Sequence, residues 1–530
     1  MNTQALRQKI LDLAIRGKLV PQDLNDEPAS VLLERIRNEK QQMVKDGKLK
    51  IKDIKDDTII FKGEDNLHYE KFQDGTVKCI EDNIPFEVPK GWEWTRLGTI
   101  CPYGECEKVD PQMLNKNDWV LDLEDIEKNT GVILTHVSNE KRNSISTKHK
   151  FNKGQLLYSK LRPYLNKVVI AGGDGYCTSE ILPLTFCGSI FPRYMQIYLM
   201  SDTFLSYVNM ISYGVKMPRL GTEDGKKAFV SIPPIPEQLR IIHQIDEIIL
   251  LLENVENSRR SLVDSINAAK SKILDLAIRG KLVPQDLNDE PASVLLEHIQ
   301  AEKEELIKQG KIKRDKNDSV IFKGDDNSYY EKFRDGMVKC IEDEIPFETP
   351  KGWVWCRLKM LGQYKKGPFG SSITKSMFVP DEPNCIKVYE QKNAINKDAS
   401  LGTYFITNEK FQTLKPFEVF PNDIIVSCAG TIGETYVLPT DIRQGIINQA
   451  LMKITLFDLS ILEFYLIYFD SVLKVSANSQ GHGVALKNIP PFGVLKQYLI
   501  PLPPLDEQKR IVYKINNLFE KIDCMEQSFK

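Results

Sequence analysis

The chain contains a long internal duplication. Residues 9–34, KILDLAIRGKLVPQDLNDEPASVLLE, recur without a single change at 272–297. A second matched pair lies at 61–97 and 322–358, where most positions are identical. The segments that follow each pair, 101–230 and 361–500, have diverged almost completely. The constant parts must therefore satisfy one constraint twice, whereas the variable parts satisfy two different ones.

The central segment carries the pattern of a long helix. From Ile241 to Leu276 apolar residues recur at alternating steps of four and three, and within this stripe only Arg259 is not apolar. A helix over these residues would be about 54 Å long, more than one domain needs, so we expect a spacer. A dimerisation coiled coil or a simple core helix would produce the same stripe.

The two ends of the chain carry the two halves of that helical pattern. Glu507-Gln508 matches Glu237-Gln238 and opens a similar stripe, while the N-terminal residues 6–13 correspond to 269–276. Joined, the ends would complete a second copy of the central helix. The sequence therefore predicts a cyclic two-fold repeat that is cut open within one helix, with the terminal pieces lying antiparallel against the central one.

Length and composition are those of a globular protein with at least two domains, because 530 residues exceed the size of a single core. Apolar content of 42% is ordinary, and no apolar run reaches the roughly 18 residues of a membrane span. The N-terminus lacks a signal-peptide pattern, so we expect a cytoplasmic protein with no membrane contact. Ten cysteines without any C-x-x-C favour free thiols and argue against a metal site.

Local basic patches carry the evidence for nucleic-acid binding, because a net charge of −2 gives no global attraction. Residues 141–173 hold eight Lys or Arg and no acid, and residues 357–380 hold five bases and no acid. Such runs are often solvated faces. Their recurrence in both variable segments favours binding to phosphates.

Glycine-bounded polar loops lie in the second variable segment, at 365–375, 428–434 and 478–488. Glycine lets backbone N–H groups approach phosphates, and Ser, Asn, Gln and His reach base edges. An ordinary turn is the alternative for each loop.

We predict that the basic residues of these runs and loops contact phosphates, namely Lys141, Arg142, Lys148, Lys150, Lys153, Lys160, Arg162, Lys365, Lys366, Lys375 and Lys487. Tyr164 is predicted to pack beside these contacts. We predict base contacts from Lys216, Arg219, Ser371, Ser372, Gln480, His482 and Asn488.

Motifs of catalysis are missing from the sequence. There is no G-x-x-x-x-G-K-[ST] for nucleotide phosphates, no G-x-G-x-x-G after a strand and no G-x-S-x-G. A base-gripping N/D-P-P-Y/F element is also missing, since IPPI and IPPF carry Ile at the essential polar position. The six histidines show no ligand or triad spacing. We therefore predict a non-enzyme with no catalytic residues.

Several motifs together resemble the specificity subunits of type I restriction-modification systems, over nearly the whole chain. They are KILDLAIRGKLVPQ twice, IPFEVPKGWEWTRL with IPFETPKGWVWCRL, NKGQLLYSKLRPYLNK, KGPFGSSI, and the exits PPIPEQLRI and PPLDEQKRI. The resemblance implies two target-recognition domains, each reading one half of a bipartite, asymmetric double-stranded DNA site. It also implies two modification (methyltransferase) subunits that bind S-adenosylmethionine, and restriction subunits that use ATP and Mg, with no cofactor in this chain.

The fold class that we expect is α+β, with two similar α/β target-recognition domains separated by a pair of long antiparallel helices in a pseudo-two-fold cyclic repeat. The predicted domains are an N-terminal helical part (1–40), an insert (41–84), target-recognition domain 1 (85–235), the central spacer (236–300), a second insert (301–345), target-recognition domain 2 (346–505) and the C-terminal helix (506–530). The inserts depart from the simplest family layout, and we interpret them as platforms that brace the recognition domains.

Constant repeats suit two copies of one partner, and divergent interiors suit two ligands of one chemical kind. The predicted function is therefore the sequence-specificity subunit of a restriction-modification complex, with half-sites about one DNA turn, roughly 34 Å, apart. Two rivals remain: a stand-alone bipartite DNA-binding regulator, and a coiled-coil adaptor that reads no DNA.

Overall fold

The computed structural model describes residues 2–47, 51–212, 217–315, 317–429, 431–478 and 492–528. The side chains of 52–53 and 472–478 are not described. The chain divides into two compact units, unit 1 from Met1 to Arg260 and unit 2 from Ser261 to Lys530. One helix, α9 (Ile235–Ile278), contains the boundary and is 44 residues long, about 66 Å by the rise of an α-helix. The predicted central helix is confirmed.

Unit 1 mixes helices with short strands. Its helices are α1 (Thr3–Ile15), α2 (Ala29–Lys45), α3 (Ile51–Ile54), α4 (Leu97–Ile100), α5 (Asn139–Arg142), α6 (Pro192–Leu199), α7 (Asp202–Ile211) and α8 (Thr222–Lys227). Its strands are β1 (Ile59–Lys62), β2 (His68–Lys71), β3 (Val77–Cys79), β4 (Glu93–Arg96), β5 (Lys108–Val109), β6 (Val120–Leu121), β7 (Lys148–Phe151), β8 (Leu156–Ser159), β9 (Val168–Ile170), β10 (Gly175–Thr178), β11 (Ile181–Leu184) and β12 (Phe229–Ile232).

Unit 2 has the same mixture. Its helices after α9 are α10 (Ala292–Lys308), α11 (Gln391–Ile395), α12 (Asn408–Leu414), α13 (Leu462–Asn478), α14 (Phe492–Leu495) and α15 (Leu505–Ser528). Its strands are β13 (Ser319–Lys323), β14 (Tyr329–Phe333), β15 (Val338–Cys340), β16 (Val354–Arg357), β17 (Gly362–Lys366), β18 (Ile386–Tyr389), β19 (Phe405–Ile406), β20 (Glu418–Val419), β21 (Ile424–Ser427), β22 (Thr435–Val437), β23 (Gly445–Ile447), β24 (Leu451–Leu456) and β25 (Leu499–Leu502).

The helices α1 and α9 end in the same way. After α1, Gly17 adopts φ +64°, its N–H bonds to Ala14 O, and the next N–H bonds back to Leu13 O. Gly280 ends α9 at φ +63° with the equivalent pair of bonds. This Schellman arrangement satisfies the last carbonyls of each helix and requires a residue that tolerates the left-handed region, which is why glycine stands there.

Each terminal helix runs antiparallel to part of α9 within its own unit. In unit 1, Arg7 pairs with Glu253 at 3.9 Å, and beyond the end of α1 Asp26 pairs with Arg240 at 2.7 Å. In unit 2, Asp523 of α15 pairs with Lys270 of α9 at 2.6 Å, and Arg510 of α15 pairs with Asp289, beyond the end of α9, at 2.6 Å. Numbers rise along one helix as they fall along the other, so the antiparallel course that the sequence predicts is present inside each unit.

A buried glutamate anchors the first turn of α9 and, in the same way, the first turn of α15. Glu237 accepts hydrogen bonds from the Gln22 amide at 3.0 Å and from the Trp92 indole at 2.9 Å. Burial raises the pKa of the Glu237 carboxyl, and these two donors oppose the rise. Glu507 accepts from Gln285 and Trp353 at the same two distances. We call Glu237 and Glu507 the anchor glutamates.

The sheets of the two variable segments share most of their strand pairings. In unit 1, β8 lies between β11 and β9, and a second sheet has the order β5-β7-β10-β6. In unit 2, β21 lies between β24 and β22, with β17 added outside β24, and the second sheet has the order β19-β18-β23-β20. In the described part of the chain only the pairs β6–β10 and β18–β23 are parallel, so the sheets are mainly antiparallel, as an α+β class requires.

Each insert forms a three-stranded antiparallel sheet, β1-β2-β3 in unit 1 and β13-β14-β15 in unit 2. We call these the insert sheets. The buried face of the first is tied to β4, because Glu70 pairs with Arg96 at 2.7 Å, and Lys40 of α2 bonds Asp57 just before β1. In the second, Glu331 pairs with Arg357 at 2.6 Å in the same way. These ties fit the interpretation of the inserts as platforms.

The strand-like runs QLLYS at 155–159 and DIIVS at 423–427 form β8 and β21, and the helix-like run at 462–477 forms α13. The pattern at 193–208 also predicts a helix, but the structure has two helices there, α6 and α7. The break occurs at Ser201, whose hydroxyl caps the Phe204 N–H of α7. A serine at this position competes with the helical backbone for its own hydrogen bonds.

Candidate nucleic-acid interface

The turn between β8 and β9 brings together three of the basic residues of unit 1 that the sequence singled out. The Ser159 hydroxyl donates to Leu161 O at 2.9 Å, and the Lys160 N–H donates to Glu180 O at 3.0 Å. The Arg162 N–H donates to Pro218 O at 2.7 Å. These bonds fix the turn against the segments around 180 and 218, so that Lys160, Arg162, Tyr164 and Arg219 fall in one neighbourhood.

Arg162 has an unusual backbone conformation. Its φ of +49° places a long side chain in the left-handed region, which costs free energy and persists only where the surroundings impose it. The Arg162 side chain is exposed, and Tyr164 is 46% exposed. The fold therefore holds a guanidinium and a phenol ring at the surface in a defined place, as a contact to phosphate and sugar requires.

The Lys160 ammonium and one further ammonium group, that of Lys108, raise the positive potential near this turn. Burial lowers the pKa of His149, and the ammonium groups of Lys160 and Lys108 lower it further. Lys108 lies on β5 and is exposed. Sequence reasoning missed Lys108 because it lies outside the acid-free run, between Glu107 and Asp110.

Arg219 is held by a carboxylate of the same neighbourhood. Its guanidinium lies 3.1 Å from a Glu180 oxygen, and its backbone forms an isolated antiparallel β-bridge with Leu161. A paired arginine keeps a fixed orientation, which base reading requires, although part of its charge is already compensated. Glu180 was not singled out from the sequence, because nothing in its immediate neighbours marks it.

Arg142 lies among acids rather than among bases. Its guanidinium contacts Asp122, Glu124 and Asp125, and its side chain is only 13% exposed. Three carboxylates around one guanidinium leave no positive charge to offer to a phosphate. We therefore assign Arg142 to holding the loop before α5, and the sequence could not reveal this because the acids come from another segment.

The other predicted lysines of unit 1 differ in accessibility. Lys148 is buried and its ammonium lies 3.3 Å from the Ser146 hydroxyl, while Lys150 is exposed and 3.3 Å from Glu107. Lys141 and Lys153 are exposed. Lys148 therefore has little access to a phosphate, whereas the other three can reach one.

In unit 2 two loops converge on the start of β24. The Gly367 N–H, just after β17, donates to Leu451 O at 2.9 Å, and the Cys428 N–H, just after β21, donates to Ala450 O at 2.9 Å. A Cβ on Gly367 would meet the Asn448 carbonyl oxygen at 1.8 Å, so only glycine fits this approach. Loops 365–375 and 428–434 thus meet at one end of the sheet.

Polar side chains with one aromatic ring surround this meeting point. Lys365 and Lys366 on β17 are exposed, as are Ser371 and Lys375, and Ser372 is half-buried. Burial raises the pKa of Cys428 to about 11, and the nearby Lys366 ammonium opposes that rise. Residues that sequence reasoning missed here are Phe369, 87% exposed, together with exposed Thr431 and Gln449. The string KGPFGSS could have indicated Phe369, since an aromatic residue between two loop glycines is rarely placed for packing.

The remaining predicted contacts, Lys216, Gln480, His482, Lys487 and Asn488, lie outside the described residues.

The turns after β8 and β21 occupy corresponding places in their units. Ser427 repeats the role of Ser159, because its hydroxyl donates to Thr431 O at 2.6 Å across the turn. In each turn a backbone N–H also donates to the carbonyl of the residue that precedes the neighbouring strand: Lys160 donates to Glu180, and Cys428 donates to Ala450. The side chains that they present are basic and aromatic in unit 1 and polar in unit 2. One backbone frame thus carries two different surfaces.

Metal-ligating side chains come together at one place among the described residues. His68, Glu81 and Glu87 have ligand atoms within 4.8 Å of one another. His68 Nδ1 lies 2.7 Å from Glu81, and Lys62 pairs with Glu87 at 3.3 Å. Unit 2 carries Tyr329 at the position of His68. The three groups are thus paired as ordinary hydrogen-bond and ion-pair partners.

Comparisons with known proteins point to one family. A family model described as the type I restriction modification DNA specificity domain matches residues 350–529. The specificity subunit of the type I restriction enzyme EcoAI from Escherichia coli is 27% identical over 600 aligned positions, covering 99% of this chain and 90% of that protein. The chain is therefore similar, over nearly its whole length, to the specificity subunits of type I restriction enzymes.

Two further proteins show a similar likeness. The EcoEI specificity subunit of Escherichia coli is 27% identical over 98% of this chain and 89% of its own length. A solved structure described as concerning complex assembly and conformational transition of the type I R-M system has a TM-score of 0.54 at 18% identity, covering 84% of this chain and 94% of that one. The structural likeness shows a shared fold. Among the described helices of the chain, none is both long and apolar enough to span a bilayer.

Proposed function

We propose that each unit reads one half of a bipartite double-stranded DNA site, and that the constant parts dock two copies of one modification (methyltransferase) subunit. The observation that carries the DNA part is the pair of serine-anchored turns. The Ser159 and Ser427 turns are fixed by corresponding bonds and present different side chains. A subunit that reads two different half-sites needs this combination, because phosphate geometry repeats along DNA and base sequence does not.

In unit 1 the proposed contacts are mainly electrostatic. Lys160, Arg162 and Lys108 would bind phosphates, and Arg219, oriented by Glu180, would read a base edge. Among the outer lysines of the basic run, Lys141, Lys150 and Lys153 would extend the phosphate track.

In unit 2 the proposed contacts come from the loops at the start of β24. Lys365, Lys366 and Lys375 would bind phosphates, and Ser371 and Ser372 would read bases. Exposed Phe369 would stack or wedge against the nucleic acid, as aromatic side chains do in other DNA-binding proteins.

The docking part is supported by two turns of identical sequence, one after α1 and one after α9. Each turn is held by hydrogen bonds and an ion pair and exposes a large apolar side chain. Leu24 is 87% exposed and Leu287 is 88% exposed. In each turn an aspartate side chain accepts the N–H two residues ahead at 2.9 Å, and a second aspartate pairs with an arginine of α9 or α15. Rigid presentation lowers the entropy cost of association, and leucine at such a tip has no role in the fold.

The expected complex follows from this assignment. Two modification subunits would supply S-adenosylmethionine and the methyl transfer, and restriction subunits would supply ATP- and Mg-dependent cleavage. This chain would contribute sequence recognition in the cytoplasm, with no cofactor of its own.

Exchange of residues 101–230 for the matching segment of another specificity subunit tests the DNA part. Methylome sequencing of cells that carry the chimera should show a new first half-site and an unchanged second half-site. An unchanged first half-site would reject the proposal and favour an adaptor that reads no DNA.

Co-purification with the modification subunit tests the docking part against the stand-alone regulator. Leu24→Asp together with Leu287→Asp should weaken the complex at least about tenfold, as removal of an interface anchor does. Met113→Asp is the matched control, because Met113 is 76% exposed and lies in a variable segment. Tight, specific DNA binding by the chain alone, with no affinity for the modification subunit, would favour the regulator.

A further inference from the structure

The outer faces of the two insert sheets have nearly the same side chains. In the first sheet the pairings Ile59–Lys71–Val77 and Phe61–Tyr69–Cys79 place these six residues on one face. In the second sheet the pairings Val320–Lys332–Val338 and Phe322–Tyr330–Cys340 do the same. Five of the six positions are identical and the sixth changes only from Ile to Val. We call these two sets the outer faces.

The outer faces are apolar and accessible. Phe61 is 38% exposed and Phe322 is 42% exposed, while Val77 and Val338 are 53% and 49% exposed. Each phenylalanine stacks on its cross-strand tyrosine with ring centroids 5.9 Å apart and an interplanar angle of 26°, the same in both units. An ordinary half-buried sheet shows polar residues on its solvent side, so exposed aromatic and aliphatic residues there indicate an interaction surface.

The conformation of each outer face is fixed before any partner arrives. The Tyr69 hydroxyl donates to Asp65 at 2.7 Å, and Gly63 packs so closely that a Cβ there would meet the Tyr69 ring at 2.9 Å. Tyr330 and Gly324 repeat both contacts, at 2.7 Å and 2.9 Å. The opposite face of each sheet is held by the ion pairs with Arg96 and Arg357. The outer faces are therefore free to bind without rearrangement.

Exposed positions beside the outer faces have changed between the repeats. Leu67 corresponds to Ser328, Gln73 to Arg334 and Thr76 to Met337, and all three pairs lie in hairpin turns of the insert sheets. The duplication is thus old enough for exposed residues to differ. Constancy of the outer faces then requires a constraint other than shared origin, and an occupant common to both units supplies it.

Charge decides what kind of occupant fits. Residues 59–83 hold three lysines and six acidic residues, and residues 320–344 hold four bases and seven acidic residues. Both insert sheets are therefore net negative, and the acids at the hairpin tips would repel DNA phosphates. Lys71 and Lys332 stand within the apolar faces, where a carboxylate of a protein partner could meet them.

We propose that each outer face docks one copy of the modification subunit, through an apolar pocket on that subunit that receives the Phe61 or Phe322 ring, with a carboxylate opposite Lys71 or Lys332. This inference rests on the docking proposed above and assigns a role to the inserts beyond bracing. Two equivalent outer faces then predict two equivalent subunits.

Thiol labelling measures occupancy directly, because Cys79 and Cys340 are exposed and lie on the outer faces. The full chain is pulsed with N-ethylmaleimide alone, with modification subunit, and with a DNA duplex, and the labelled peptides are quantified by mass spectrometry. Modification subunit at ten times its Kd should slow labelling of both cysteines about tenfold. Protection by DNA alone, or equal labelling with and without the subunit, would overturn the inference.

Paired variants test the same contact in binding. Phe61→Glu with Phe322→Glu should reduce affinity for the modification subunit by about 30-fold, and Lys71→Glu with Lys332→Glu, which leaves the sheet hydrogen bonds intact, by about tenfold. Leu67→Ser is the matched control, since Leu67 is 38% exposed on the same sheet and the second repeat carries serine there. The control should bind like the unmodified chain.

The two proposals fail in different ways. No complex between the unmodified chain and the modification subunit would reject the docking proposed above. A normal complex whose affinity survives both pairs of variants would reject only the role of the outer faces. Loss of the restriction subunit alone, or of self-association, in the variants would show that the occupant is a different protein and would equally overturn this inference.

Discussion

The anchor glutamates and the serine-anchored turns illustrate two kinds of repetition. Around Glu237 and Glu507 the donors are the same residue types at the same distances, 3.0 and 2.9 Å. In the turns after β8 and β21 only the serine and the backbone bonds recur, and the exposed side chains differ. The two repeats share side chains where the helices must pack twice, and share only backbone geometry where, as we propose, two different DNA half-sites are read.

The largest effect is expected at the anchor glutamates. Glu237→Ala and Glu507→Ala should each lower the free energy of unfolding by about 2–4 kcal/mol, because a buried indole and a buried amide lose their acceptor. Urea unfolding followed by tryptophan fluorescence measures the change. Glu247→Ala, on the exposed side of α9, should change it by less than about 0.5 kcal/mol. A difference above about 1 kcal/mol between the two anchor variants would break the equivalence of the units.

The glycines that end α1 and α9 should be the next most sensitive positions. In Gly17→Ala a Cβ would meet Pro89 Cγ at 2.3 Å, and in Gly280→Ala it would meet Pro350 Cγ at 2.4 Å. With the left-handed backbone added, we expect a loss of about 2–3 kcal/mol in thermal unfolding. Gly47→Ala and Gly310→Ala are the matched controls, because they share the backbone conformation but have open space, and should lose about 1 kcal/mol. Equal losses at all four glycines would contradict the packing argument.

The turns should differ in the salt dependence of DNA binding. Arg162→Ala should weaken binding several-fold on every sequence and reduce the slope of log K against log salt by about 1. Thr431→Ala, at the corresponding turn of unit 2, should leave the slope unchanged. Arg142→Ala should also leave it unchanged, since its guanidinium is neutralised by three carboxylates. Fluorescence anisotropy across a salt series measures all three, and a reduced slope in Arg142→Ala would contradict our assignment.

The smallest effect should be a loosening, in acid, of the ion pairs that tie the insert sheets to β4 and β16. Burial alone would raise the pKa of Glu70, but Arg96 and Thr58 outweigh it and leave the pKa below its usual value, and Glu331 behaves likewise with Arg357 and Ser319. A lowered carboxyl pKa stabilises the fold above about pH 4.3, the ordinary glutamate value, and this stability is lost as the pH falls through the lower, folded pKa.

Hydrogen exchange of the insert sheets between pH 5 and pH 3 should therefore show both sheets loosening together. Glu70→Gln should remove the pH dependence in unit 1 only. Loosening of one sheet alone in the unmodified chain would show that the two ion pairs are not equivalent.

Local pattern was sufficient for the elements that depend on neighbours in the chain. The heptad stripe predicted α9, the apolar runs predicted β8, β21 and α13, and the matching Glu-Gln pairs predicted that α15 repeats the start of α9. The break at Ser201 was missed, since a single capping hydroxyl outweighed an otherwise helical run.

The sequence by itself determined that one helical frame is built twice, that the variable segments between its parts differ, and which family the chain resembles. Tertiary structure alone decided which of the predicted basic side chains are accessible and which are buried or paired with acids. Arg142 is neutralised by Asp122 and its neighbours, Lys148 is buried, and Arg219 is oriented by Glu180. The physical reason is that the charge available at a surface depends on partners brought from distant segments, and a run of lysines and arginines records only one side of those pairs.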